Sequence, residues 1–126
     1  MLVQEGEGWR WLQDSARHPF SFVIGGQGWA SELTAEEALG LGQALVQLVQ
    51  EHQALASQLM PEESISLELE RGPFWIALEG DRNAWSLRFV LTPGADCRAV
   101  EGSWLPGASA ALVAALAQWA SQHSCS

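Results

Sequence analysis

Between Ile65 and Leu91 apolar and polar residues alternate in three runs, broken at Arg71-Gly72 and again at Gly80-Asp81-Arg82-Asn83. A period of two is the mark of a strand with one buried and one wet face, so the stretch predicts a three-strand antiparallel meander. With Ile65, Leu67 and Leu69 inward, a two-residue turn at Arg71-Gly72 sets Leu69 opposite Phe74 and Leu67 opposite Ile76. The turn over 80–83 then sets Ile76 opposite Leu87, Phe74 opposite Phe89 and Leu78 opposite Trp85. A slip of one residue would bury Glu68 and Glu79 and expose all of those apolar side chains, so the choice of inner face is strongly specified.

Trp9 to Leu12, Phe20 to Ile24 and Trp29 to Leu33 predict three earlier strands, with Gly25-Gly26-Gln27-Gly28 as a turn; the first half either lacks a fourth strand or carries a poorly marked one at Leu2-Val3. Thr34 followed three residues later by Glu37 is a capping box. Ala38, Leu41, Leu45, Leu48, Val49, Leu55, Ala56 and Leu59 then keep helical spacing until Pro61, a helix of about 25 residues. Past the meander, Thr92 to Asp96 is a turn and Arg98 to Trp104 a further strand. Ala108, Leu112, Val113, Ala115, Leu116 and Trp119 mark a second helix. The expected fold is therefore α+β in the order βββα-ββββα, one domain over residues 1–126 with an internal pseudo-repeat, about 1–62 and 63–126. Gly28-Trp29 ahead of one helix and Ser103-Trp104 ahead of the other are the residues that suggest the repeat.

Composition narrows the functional classes. The 126 residues suffice for one core without metals or disulfides. There is no lysine, and six arginines face fifteen carboxylates for a net charge of -9. Such a chain is repelled at long range by nucleic-acid phosphates and by anionic membranes. No apolar run approaches the roughly 18 residues of a membrane span. Met1 to Gly8 has neither a basic start nor a long apolar stretch, so no signal peptide is expected. Cys97 and Cys125 make neither a metal spacing nor a disulfide framework, and a reducing cytoplasm is the expected compartment.

The run from Leu67 to Arg82 (LELERGPFWIALEGDR) and Trp85-Ser86-Leu87-Arg88-Phe89 resemble a family of small cyanobacterial proteins of unknown function. Glu5-Gly6 to Arg10, Ile24 to Trp29 and Val100 to Trp104 are similar to the same family. The resemblance implies a scaffold, that of the single-stranded-DNA-binding transcriptional regulators typified by the Whirly proteins and positive cofactor four. There, two four-strand-plus-helix units pack about a pseudo-twofold axis. It implies no activity, because fold does not determine function.

Candidate sites are few. The meander register sets Glu68, Trp75 and Arg88 side by side on the outer face, and pairing Leu91 with Arg98 adds Glu101 beside Arg88. Such a row is either a stacking platform, with Trp75 receiving a planar group and Arg88 an anion, or a self-satisfied row in which Arg88 lies over Trp75 and is neutralised by Glu101. Arg71 and Arg82 sit on turns, as single phosphate contacts or as solvated side chains. Trp29, Trp85, Trp104 and Trp119 fit core positions, whereas Trp9 and Trp11 share a strand face and are candidate anchors for a protein partner. Glu68, Glu70 and Glu79 alternate as an exposed strand face requires, and His18, His52 and His123 are scattered, so neither catalysis, a metal nor a cofactor is expected. The expected function is a non-enzymatic protein-interaction or regulatory accessory module with a basic protein partner. Single-stranded nucleic-acid binding on the sheet face is the alternative. A monomer or a weak homodimer suits either.

Overall fold

A computed structural model describes residues 1–123, with the side chain of His123 outside the description; Cys125 also lies outside it. The chain runs β1 (Leu2–Gly6), β2 (Trp9–Gln13), β3 (Phe22–Gly26), β4 (Trp29–Leu33), α1 (Ala35–Ala56), β5 (Ile65–Arg71), β6 (Phe74–Gly80), β7 (Trp85–Leu91), β8 (Val100–Trp104) and α2 (Ala108–His123). The strands form two antiparallel meanders, β1-β2-β3-β4 and β5-β6-β7-β8, each followed by a helix. The order is thus ββββα-ββββα. The additional first strand escapes the hydrophobic pattern because it is an edge strand, exposed on nearly every residue.

Each helix packs on the sheet it does not follow. Helix α1 leaves the first sheet and lies on β5 and β6, whereas α2 leaves the second and lies on β2 and β1 while keeping contact with β7. The helices also pack on each other. Leu41, Leu45 and Leu48 of α1 and Leu112 and Leu116 of α2 are fully buried in one continuous core. Thr34 caps α1 as the pattern predicts, its hydroxyl accepting from Glu37 N–H while the Glu37 carboxylate accepts from Thr34 N–H. The helix ends at Ala56, capped by Ser57, before the proline is reached, so Leu59 lies outside it and is exposed. Further along, His52 is buried and bonds through Nε2 to Gly80 O at 2.9 Å, tying the helix to the end of β6.

The meander registers are offset by two residues from the expected ones. Arg71 pairs with Phe74, Leu69 with Ile76 and Leu67 with Leu78. On the other side Phe74 pairs with Leu91, Ile76 with Phe89 and Leu78 with Leu87. The turn is Gly72-Pro73, in which Gly72 has φ 57° and proline fixes a negative φ. Positive then negative φ suits a type II′ hairpin, which follows the twist of the flanking strands. An offset of two keeps every side chain on its expected face, so the inner apolar set is unchanged. Likewise β8 begins at Val100, which pairs with Leu91, and leaves Arg98 in the preceding loop.

The two sheets meet through tryptophans. Trp29 of β4 donates its indole N–H to Ser103 O at 3.0 Å, and Trp104 of β8 donates to Gly25 O at 2.9 Å. Their rings lie 5.3 Å apart, and Phe89 stacks on Trp104 at 5.4 Å. Trp29 opens its strand whereas Trp104 closes its own, so the two occupy different places in their units and do not mark equivalent positions of a repeat. A second aromatic cluster, Trp11, Phe22 and Trp119, joins β2 and β3 to α2 with centroids 5.1–5.3 Å apart.

Arg98 fastens the halves at the other end of β8. Its guanidinium holds Glu37 at 2.6 and 2.8 Å, donates to Glu32 O at 2.9 Å and covers the Phe20 ring at 4.7 Å. Phe20, placed by its pattern at the start of a strand, instead precedes β3 and supplies this ring. The Arg98 hydrogen bonds are the main cause that lowers the Glu37 pKa, outweighing burial, which raises it.

Two outcomes follow from this packing. A Cβ at Gly102 would overlap the Trp29 ring, so Gly102→Ala should lower the urea midpoint by the equivalent of about 1–3 kcal/mol. An unchanged midpoint would show that Trp29 is not wedged there. Because the folded pKa of Glu37 is depressed, its contribution is complete above the ordinary glutamate value of about 4.3 and is lost as pH falls through the lower folded value. The acid-side loss of stability should therefore be shallower in Glu37→Gln than in the native chain, measured by urea unfolding across that range.

Candidate docking face

With the helices on the inner face, the outer face of the second sheet is open. The observed register sets Glu70, Trp75, Val90 and Glu101 in one row and Glu68, Ala77, Arg88 and Ser103 in the next, with Glu79 and Ser86 paired beyond. Trp75, Val90 and Ala77 are part-buried and form an apolar centre; Glu68, Glu70, Glu79 and Glu101 are exposed around it. Four carboxylates thus surround a single cation.

That cation is Arg88. Its guanidinium lies 5.0 Å from the Trp75 ring centroid, reached diagonally across the strands. Glu101 stands opposite Val90, with Ser103 the direct neighbour of Arg88, and none of the ion pairs among the described residues includes Arg88. The expected row of Glu68, Trp75 and Arg88 is therefore two staggered rows, and the expected neutralisation by Glu101 is absent among those pairs. The cation–π contact itself is present. A guanidinium over a partly exposed indole contributes about 0.5–1 kcal/mol.

The two turn arginines are engaged with α1. Arg71 bonds to Gln47 Oε1 at 3.1 Å and, more weakly, to Gln43 Oε1 at 3.4 Å. Arg82 donates to Ala56 O at 3.2 Å and to Leu59 O, satisfying carbonyls where the helix ends. Both remain exposed, yet each is tied by hydrogen bonds to α1 or its C-terminal end. Asp81 serves that turn instead: its carboxylate accepts from the Asn83 and Ala84 N–H groups at 2.8 Å each, which lowers its pKa.

Trp9 and Trp11 do share a strand face, but it is the inner one. Trp11 is 0% exposed and packs on Phe22 and Trp119, so it is core and not a surface anchor. Trp9 is part-buried, its indole folded back over Gly6 at the rim of a cleft. The sequence reading also missed Val90 and Ala77 as the companions of Trp75. Gly72-Pro73, read as a type II′ turn, would have placed Glu70 beside Trp75, and a turn over 81–84 would have placed Val90 on its other side. Among the described residues no three His, Cys, Asp or Glu side chains gather as a metal-binding group, and no helix is long and apolar enough to cross a membrane.

Comparison with known proteins adds the family. A crystal structure of a protein of unknown function from Prochlorococcus sp. NATL2A, described as of the DUF155 family, is similar to this chain. It matches at a TM-score of 0.89 and 38% identity, covering 94% of this chain and 98% of that one. Among curated proteins none matches. The model of the domain of unknown function DUF1818 matches residues 4–119, and the chain belongs to that family.

Proposed function

We propose that the protein is a non-catalytic interaction module that docks a basic protein on the outer face of its second sheet. The observation that carries this reading is the open patch of Trp75, Val90 and Ala77 surrounded by Glu68, Glu70, Glu79 and Glu101. Interface energy concentrates in an aromatic anchor shielded by a polar rim, and rim charge selects the partner and speeds encounter. An acidic rim selects lysine and arginine. The partner covers the indole with its own apolar side chain or guanidinium and places cations against the glutamates.

The Whirly-type scaffold implied by the sequence would favour single-stranded nucleic acid on a sheet face. Base stacking needs cations close by to hold the phosphates. Here Arg88 is the only arginine in the two rows, set among glutamates, while Arg71 and Arg82 are occupied with α1. On this proposal the likeness ends at the scaffold.

Titration of the isotope-labelled protein with a deca-arginine peptide at low salt, followed by amide shifts, tests the reading. Shifts should concentrate in β5–β8 on the Trp75 face. Affinity should fall about tenfold in Trp75→Ala and by more in Glu70→Gln/Glu101→Gln, by the usual cost of losing a central anchor or its charged rim. The control pair Glu36→Gln/Glu51→Gln, acids of α1, should leave it unchanged. Equal loss in the control pair, or stronger binding of oligo-dT that disappears in Arg88→Ala, would overturn the proposal.

A further inference from the structure

The first sheet contains a repeat that the alternation pattern conceals: Gly6-Glu7-Gly8-Trp9 and Gly26-Gln27-Gly28-Trp29. Each is a two-residue hairpin turn. In each the second turn residue is a glycine at positive φ, 80° at Gly8 and 82° at Gly28, and the tryptophan pairs directly with the glycine before the turn. In each, too, the indole nitrogen lies where a Cβ on that glycine would sit, so the ring folds back across the neighbouring strand. The two turns stand on the same end of the sheet and present equivalent indoles to the same neighbourhood.

Only one of the indoles is spent within the fold. Trp29 inserts against Gly102 and donates to Ser103 O. Trp9 is held in the same folded-back pose, yet among the described residues its N–H has no hydrogen-bond partner. It borders a cleft of about 740 Å³ between the two turns and the segment that leads from β8 into α2. The opposite wall is apolar: Leu105, Pro106, Ala108 and Ala111. Leu105 is 63% exposed, unusual for a leucine beside a cleft. The acid of the first turn, Glu7, stands at the mouth.

The cleft is continuous with the docking face. A smaller groove of about 400 Å³ runs over Trp75, Ala77 and Arg88, and it shares Ser103 and Leu105 with the cleft. One extended chain could therefore occupy both. Its cations would lie among the glutamates of the second sheet, and beyond Ser103 it would meet an apolar wall, a free indole donor and one more carboxylate.

Resting on the docking function proposed above, we infer that this cleft is the anchor pocket of the same interface. It receives one bulky apolar side chain of an extended basic segment, and Trp9 Nε1–H donates to a backbone carbonyl of that segment. The partner sought is thus a strand-like or unstructured Arg/Lys-rich stretch with an aromatic or leucine residue at one end, not merely a basic surface.

The test uses two peptides of the form six arginines, a two-residue glycine spacer and either phenylalanine or alanine, titrated into the labelled protein. The Phe peptide should bind about tenfold more tightly than the Ala peptide. It should also shift the Trp9 indole N–H resonance, identified by its loss in Trp9→Phe. Leu105→Ser and Ala111→Phe, which fills the cleft, should each abolish the advantage of the Phe peptide, and Ala111→Phe, which lies outside the Trp75 groove, should leave Ala-peptide binding intact. Two peptides binding equally on the Trp75 face with the Trp9 resonance unmoved would overturn the anchor and leave the docking function standing. Failure of both peptides to bind would remove the docking function and the anchor with it.

Discussion

Two indole N–H groups that must find acceptors hold this molecule together. Trp104 is buried between the sheets, where an unpaired donor is costly, and Trp29 lies part-buried beside it; each donates to a backbone carbonyl of the other unit. A hydrogen bond from a rigid ring to a strand carbonyl restricts direction as well as distance. The two sheets are therefore held in one crossing, with Gly102 bare so that the Trp29 ring can lie against β8. The placement of the twin turns, of the segment after β8 and of the cleft between them depends on this crossing.

The exchange of helices follows the same logic. A four-strand meander with one apolar face needs a cover, and each unit obtains its cover from the helix of the other. Helix α1 brings Leu41, Leu45 and Leu48 to the meander of the second half, while α2 brings Trp119 to Trp11 and Phe22 of the first. The Arg98 and Glu37 pair stitches the arrangement where the loop before β8 passes the start of α1, and there one carboxylate serves both the helix cap and the inter-unit bridge. With both inner faces consumed in this way, the outer face of the second sheet remains available to a partner.

Acidity gives that face its character. A sheet face carrying a partly exposed tryptophan suggests base stacking, but glutamates occupy the positions where phosphate-binding cations would be needed. Arg88 balances one of them at most and lies on the indole. Charge selects among the ligands that an aromatic platform can serve, and the cationic protein segment proposed above matches it.

Alternation along Ile65 to Leu91 was sufficient to assign the inner and outer faces of the second sheet, because side-chain direction has a period of two and any even offset preserves it. The capping box of Thr34 and Glu37, the helical stripes and the class of fold were legible for the same reason: each rests on residues close in sequence. What lay beyond local pattern was decided by tertiary structure. The two-residue offset between β5 and β6 depended on the φ that Gly72 adopts and set Glu70 beside Trp75, while the separate turn over 81–84 set Val90 on its other side. Trp11 looked like half of a surface pair because parity cannot say which face a helix from the distant end of the chain will cover. Arg82, Arg98 and the contrast between Trp29 and Trp9 depended on carbonyls and carboxylates tens of residues away. Those partners become neighbours only when two sheets cross and exchange their helices.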